Sequence, residues 1–241
     1  VGRIHDRDFM ASFHKTMGLS RFRGDQMTLL KVLFYVTWVS VTLAALPCNV
    51  QGGEAHSAEG EAKERFVKDR LSLQFMSGVL FSLRNLPSDS PEFNYVQMNL
   101  RLGWMLNDPT KPRFLPRGSL ETLFEISNSF VYEGFGDYLG GFTVLLRYNV
   151  LRNDWDFVPY FQVGAGIVYT DAYKDREQQA IGQAVEFTPQ GSVGFHYLLG
   201  RDCSIDAEAM FHHISNAGLE ERNRSINSIG GFLGFTYYFD R

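Results

Sequence analysis

Cysteine is almost absent from these 241 residues: Cys48 and Cys203 are the only two. Two thiols cannot build a disulfide framework or a cysteine-based zinc site. Proline is scarce too, 8 residues against 23 glycines, and charged residues make up only 21%, too few for a disordered chain. An excess of basic charge is also missing. Lys and Arg total 23 against 27 Asp and Glu, a net charge of −4, which argues against nucleic acid as a partner because phosphate binding needs a basic surface. Long apolar runs are missing with one exception, and the mean hydropathy is −0.17, so a bundle of membrane-spanning helices is excluded. There is no Gly-rich phosphate loop and no HExxH-type metal motif, and nothing implies a metal or a cofactor. What the chain does have is aromatic: 15% overall, with 21 Phe and 11 Tyr. Rich in aromatics and glycine and poor in proline, this balance suits β-structure with tight turns.

The exceptional apolar run is Val32 to Leu46, preceded by Met27, Lys31 and, further upstream, Arg21 and Arg23. At about fifteen residues it fits a secretion signal and is short for a spanning helix. Small and polar residues follow, and cleavage after Gly52 or Ser57 satisfies a small-residue rule. Residues 1–57 are therefore expected to be a signal segment and linker, with residues 1–26 an over-long start before Met27, and 58–241 the folded domain. An uncleaved membrane anchor is the alternative. Cleavage would leave Cys203 as the only cysteine.

From Leu71 to Phe239 apolar residues alternate with polar or small ones between turn signals. In the clearest stretch Val96, Met98, Leu100, Leu102, Trp104 and Leu106 interleave with Gln97, Asn99, Arg101 and Gly103. A period of two sends the two sets to opposite faces of a strand. The pattern recurs around Leu120–Ile126, Phe142–Tyr148, Phe161–Tyr169, Val185–Tyr197, Ile205–Phe211 and Ile229–Phe239, and less regularly at Leu71–Ser82. That makes about eight strands of roughly ten to fourteen residues, long for a soluble sandwich and suited to a tilted bilayer crossing. Asn107–Pro116 and Lys174–Gly182 read as longer connections, Asn153–Asp154 and Gly200–Asp202 as short turns. Tyr160, Tyr169, Tyr197, Tyr237 and Tyr238 fall near strand ends, where a bilayer interface places aromatics.

The polar face carries Arg101, Glu121, Glu125, Arg147, Glu186, Asp206 and Glu208. Both signs are present, so these groups can pair inside a narrow barrel, and eight strands leave room for side chains but no channel. The expected fold is all-β, an eight-stranded antiparallel outer-membrane β-barrel with its apolar face to lipid. A soluble barrel of lipocalin type, with the apolar face inward, is the competing arrangement.

The chemically richest stretch is Phe211-His212-His213-Ile214-Ser215-Asn216-Ala217-Gly218. His213 and Ser215 share parity with Ile205, Ala207, Ala209 and Phe211, which puts a His and a Ser side by side on the lipid face. Polar groups there are costly unless paired. A Ser hydroxyl becomes a nucleophile when a base takes its proton, and neutral imidazole is such a base. A third group should orient the imidazole; Asn227, on the outer parity of the next strand, is the candidate. His212 has the opposite parity and joins the interior with Glu208 and Asp206.

His213-Ile214-Ser215-Asn216-Ala217-Gly218-Leu219, followed by Asn223 and an aromatic closing strand, resembles the lipid A 3-O-deacylase (PagL) family, over about Phe211 to Phe239. The family consists of eight-stranded outer-membrane barrels that hydrolyse an ester-linked acyl chain of lipid A. The resemblance implies His213 as general base, Ser215 as nucleophile, Asn216 and the Gly218 backbone as oxyanion donors, and Asn223 as a supporting polar residue. The best-known members carry Glu where this chain has Asn227. An amide oxygen can hold an imidazole but brings no full charge to imidazolium; Glu220 and Glu221 in the following loop are the acids nearest in sequence.

Three functions compete on this reading. One is an outer-membrane ester hydrolase acting on the lipid A of lipopolysaccharide. Another is a non-catalytic small outer-membrane barrel with a structural or binding role. The last is a soluble carrier of apolar ligands. The partners implied by the first are lipid A, lipopolysaccharide and the outer membrane, and a homodimer is compatible with it.

Overall fold

The computed structural model describes residues 65–83, 91–152, 156–199 and 202–240. Residues 1–57 lie outside them, as do most of the expected turns at Asn153–Asp154 and Gly200–Asp202. All described residues belong to one compact unit.

The chain winds as an antiparallel meander: β1 (Leu71–Ser82), β2 (Asn94–Met105), β3 (Gly118–Glu133), β4 (Tyr138–Val150), β5 (Phe157–Thr170), β6 (Val185–Phe187), β7 (Gln190–Leu199), β8 (Cys203–Ile214) and β9 (Ile226–Tyr238). Successive strands pair except β6 and β7, which follow each other along one line, and β1 pairs with β9, so the sheet closes. β6 and β7 hold one register against β5 on one side and β8 on the other. They are a single crossing strand interrupted at Thr188-Pro189, where Thr188 still exchanges hydrogen bonds with Gly166. The result is a closed eight-stranded antiparallel barrel, with no open edge to template aggregation.

The alternation read from the sequence decides which face is which. Leu100, Leu102 and Trp104 stand 43–45% exposed on the outside, while Gln97, Asn99 and Arg101, of the opposite parity, are buried. Val163, Val193, Ile205, Phe211 and Leu233 are likewise outward and exposed. An apolar belt outside and ionic groups inside rule out the soluble carrier, whose barrel would be turned inside out.

At mid-barrel Arg101 donates to Glu125 Oε2 at 2.6 Å, to Glu208 at 2.7 and 3.0 Å and to Gln74 Oε1 at 3.1 Å. Arg147 donates to Gln74, Gln162 and Glu121 and lies 4.3 Å over the Tyr160 ring. Asp206 accepts from His196, Gln74, Ser204 and Thr236.

The lumen is not polar throughout, as the parity argument implied. Above the ionic layer sits an apolar cluster including Met76, Leu80, Phe93, Met210, Ile214, Ile226 and Phe232, which extends into the loops at Phe135, Ala172 and Ile181. Below it Phe66, Met105, Val158, Leu198 and Tyr238 form a second cluster. Short inward stretches of the strand ends are apolar because they meet loops and the segment before β1, not water. Two of the expected interfacial tyrosines belong inside because they have the inward parity of their strands. Tyr160 is buried and donates to Glu208 at 2.7 Å, and Tyr238 is buried beside Ser204; Tyr169 and Tyr197 are outward.

The two longer connections do not share an end of the barrel. Connections 83–93, 134–137, 171–184 and 215–225 are at one end; 106–117, 151–156 and 200–202 are at the other, with both ends of the strand sequence. Cys203 is buried at the start of β8, and Cys48, the one other cysteine, lies outside the described residues.

Candidate active site

β8 ends at Ile214, and its last outward side chains are Phe211, His213 and, one step beyond the strand, Ser215. Three backbone contacts fix this end. His213 N–H donates to the Pro189 carbonyl at 3.1 Å, Phe187 N–H donates to the Ser215 carbonyl at 2.8 Å, and Ser215 N–H returns a bond to Phe187 at 3.1 Å. Pro189 has no N–H, but its carbonyl still serves the ladder toward β8. On the other side His213 stands directly opposite Asn227 in the β8–β9 register, so their side chains meet on the outer face.

They form a chain. Asn227 Oδ1 lies 2.6 Å from His213 Nδ1, and His213 Nε2 lies 2.9 Å from Ser215 Oγ. An amide oxygen only accepts, so Nδ1 carries the ring proton. Nε2 is then the lone pair facing the serine hydroxyl, the tautomer a general base needs. Asn227 is buried, while His213 and Ser215 are half-buried. Exposed Phe187, Phe211, Ile229 and Leu219 come from the same strand ends and the following loop, so the group is embedded in apolar surface. Glu220 and Glu221 are exposed in the 215–225 loop; Asn227, not an acid, occupies Nδ1.

After Ser215 the chain turns sharply. Ala217 (φ 55°) and Gly218 (φ 83°) both take left-handed conformations, and Leu219 N–H closes the turn on the Asn216 carbonyl at 3.1 Å. For Ala217 that conformation costs about 1–2 kcal/mol, so the surroundings must hold it. They do so through Asn216. Its side chain is fully buried on the inward parity, opposite to Ser215; Oδ1 accepts from Gly218 N–H at 2.9 Å and Nδ2 donates to the Arg222 carbonyl at 3.1 Å. Asn223 Oδ1 accepts from Asn216 N–H at 3.0 Å. The donors that the resemblance implies are thus both engaged within the turn.

His212 faces inward, as its parity requires, but it joins neither Glu208 nor Asp206. Its Nδ1 lies 2.6 Å from Tyr95 Oη. Among the described residues no group of three His, Cys, Asp or Glu is placed to hold a metal. Sequence reasoning missed Phe187, which pairs with Ser215 from β6, and Arg222. Phe187 was visible as an outward strand residue, but its partner depends on register across the barrel. Arg222 gave no signal, because its partners are main-chain carbonyls of a distant loop.

The sequence pattern that defines the lipid A 3-O-deacylase (PagL) family matches residues 94–236. The chain belongs to the PagL family. The match runs from the start of β2 nearly to the end of β9 and takes in His213, Ser215, Asn216, Gly218, Asn223 and Asn227. It also places the barrel in the bacterial outer membrane. No curated protein sequence matches the chain significantly. Among solved structures, the outer membrane enzyme PagL is similar, with 18% identity and a TM-score of 0.46, covering 68% of this chain and 97% of that one. Neisserial surface protein A gives 12% identity and a TM-score of 0.48, covering 71% and 97%. OprG from Pseudomonas aeruginosa gives 14% and 0.42, covering 74% and 99%.

Proposed function

We propose that this PagL-family barrel is a serine ester hydrolase that removes the 3-O-linked acyl chain from lipid A. The observation that carries the reading is the Asn227–His213–Ser215 chain of hydrogen bonds on the lipid-facing surface. A buried acyl ester in the leaflet meets Ser215 there without leaving the membrane.

In this mechanism Ser215 Oγ attacks the ester carbonyl carbon as its proton passes to His213 Nε2. The carbonyl oxygen takes the negative charge of the tetrahedral intermediate. Collapse breaks the bond to the sugar oxygen, which leaves with the proton from His213, and the acyl group stays on Ser215. Water, deprotonated by His213, then releases the free hydroxy fatty acid and restores the serine. Asn227 keeps Nδ1 protonated and the ring aimed. The N–H groups of Asn216 and Gly218 serve the oxyanion by exchanging their present amide acceptors, Asn223 Oδ1 and Asn216 Oδ1, for the stronger anionic one. Asn223 thereby supports the resting turn.

The deciding experiment compares lipid A extracted from cells with and without the protein by mass spectrometry, alongside purified barrel acting on lipopolysaccharide in mixed micelles. The reading requires loss of one hydroxyacyl mass. Exchanging Asn227 for glutamate should leave release intact or raise it up to about tenfold, since a carboxylate stabilises the imidazolium formed during attack. If the wild type releases nothing and N227E does not restore activity, the non-catalytic barrel takes this reading's place. His212→Ala should change acyl release little, because its ring points away from the site. It should cost roughly 1–3 kcal/mol of stability by removing the imidazole partner of the buried Tyr95 hydroxyl, read as a lower denaturant midpoint of the refolded barrel. A dead H212A enzyme beside an active H213A one would show the strand register to be off by one.

A further inference from the structure

Arg222 holds together the two loops that flank Ser215. Its Nη1 donates to the Asp175 carbonyl at 2.9 Å, and its Nη2 donates to the carbonyls of Tyr173 at 3.0 Å and Gly182 at 3.4 Å. Tyr173 lies in the short helical turn Ala172–Lys174 and Asp175 just after it, and the Asp175 carbonyl also accepts from Gln178 Nε2 at 3.0 Å. The 171–184 loop leads directly into β6. There Glu186 accepts from Gly182 N–H and Gln183 N–H, both at 3.2 Å, and Phe187 pairs with the backbone of Ser215. From the other direction the Arg222 carbonyl accepts Asn216 Nδ2 at 3.1 Å, and Asn216 Oδ1 holds Gly218 N–H. The fit is tight: a Cβ on Gly182 would fall 2.6 Å from the Arg222 carbonyl oxygen and 3.0 Å from Asn216 Nδ2.

We infer that Arg222 is a positioning residue for the nucleophile. This rests on the hydrolase reading above. Its guanidinium ties 171–184 to 215–225, so that Ser215 is gripped through Phe187 on one side and through the Asn216 turn on the other. The left-handed Ala217 (φ 55°) persists because both loops over-determine it. Arg222 is not the docking group for lipid A phosphates, because both of its terminal nitrogens bond main-chain carbonyls and the side chain is half-buried. Arg224, exposed in the same loop, meets the 171–184 loop through its main-chain N–H, which donates to the Gln179 carbonyl at 3.0 Å, so its side chain is the control for loss of a cation alone. A lysine can reach one or two of the carbonyls but lacks the planar fork that spans all three.

The test uses the full barrel refolded in detergent, as wild type, Arg222→Ala, Arg222→Lys and Arg224→Ala. Three readouts are taken: labelling of Ser215 by a small alkyl fluorophosphonate, acyl release from lipopolysaccharide, and backbone hydrogen exchange followed by peptide mass. R222A should label roughly ten- to a hundredfold more slowly and lose kcat by a similar factor at nearly unchanged KM. Exchange should rise at least about tenfold over 171–184 and 215–220 and stay as in wild type across β2 and β3. R222K should fall between, ethylguanidinium should partly restore R222A, and R224A should label as wild type does. Labelling and kcat at the wild-type level in R222A would overturn the inference, as would unchanged exchange in both loops or an equal loss of labelling in R224A. If wild type neither labels nor releases acyl chains, the hydrolase reading fails and the assignment to a nucleophile falls with it. The exchange arm then still decides whether the clamp exists.

Discussion

Replacing Ser215 or His213 by alanine is expected to reduce acyl release by at least about a thousandfold, with each loss nearly as large as that of the double variant, because a nucleophile and its base act as a unit. The geometry sets this expectation. Ser215 Oγ has its proton acceptor 2.9 Å away, and that acceptor is fixed on the far side by Asn227 at 2.6 Å. Removing the hydroxyl leaves no atom to attack the ester; removing the ring leaves a hydroxyl with no base in reach. Neither side chain supports the barrel, since the backbone of both residues keeps its bonds to Pro189 and Phe187. The measurement is hydroxy fatty acid released from purified lipopolysaccharide, with heat-modifiable migration on gels as the check on folding. Additive losses, with each single variant retaining a tenth of the wild-type rate, would show that the two residues do not act as a pair.

The largest expected effect on stability belongs to Arg101→Leu. The guanidinium is fully buried and shared between Glu125 and Glu208, with Gln74 as a further acceptor. Deleting it leaves the Glu125 and Glu208 carboxylates buried in the barrel interior without their shared cation. Breaking a buried pair in this way costs roughly 3–5 kcal/mol, far more than the lost contacts alone. The denaturant midpoint of the refolded barrel should fall accordingly. Combining Arg101→Leu with Glu125→Gln and Glu208→Gln should recover much of the loss, because the uncompensated charge, not the missing side chain, carries the penalty. A single variant as stable as wild type would place Arg101 outside the lumen.

Both expectations use assignments that were legible to different degrees in the sequence. Strand alternation assigned Arg101, Glu125 and Glu208 to one face, but it could not say that they meet. Arg101 and Glu208 lie on β2 and β8, which are not neighbours in the sheet, and only closure brings them across the lumen. By parity Tyr160 and Tyr238 fall with Gln162 and Thr236 on the inward face; their place near strand ends suggested the bilayer interface instead. Parity prevails, and the register across the barrel sets their partners, Glu208 and Ser204. Loop lengths were legible, but which end each loop occupies follows from strand order.

For the site, spacing alone set His213 and Ser215 on one face, since residues two apart on a strand point the same way. The sequence also supplied Asn227 by parity, fourteen residues downstream of His213. Whether it stands opposite His213 or one pair along depends on the β8–β9 register, which the chain achieves only by folding the 215–225 connection. What the sequence determined by itself is therefore periodic and local: strands of bilayer length, an apolar outside, an ionic inside, and a serine beside a histidine at a strand end. What only the tertiary structure decided is everything carried by long-range register. It decided the layering of the lumen, the tautomer that Asn227 imposes on His213, and the grip of Arg222 on a loop some forty residues earlier in the chain. A period of two fixes the face a side chain takes; the partner it meets there is set by closure of the barrel.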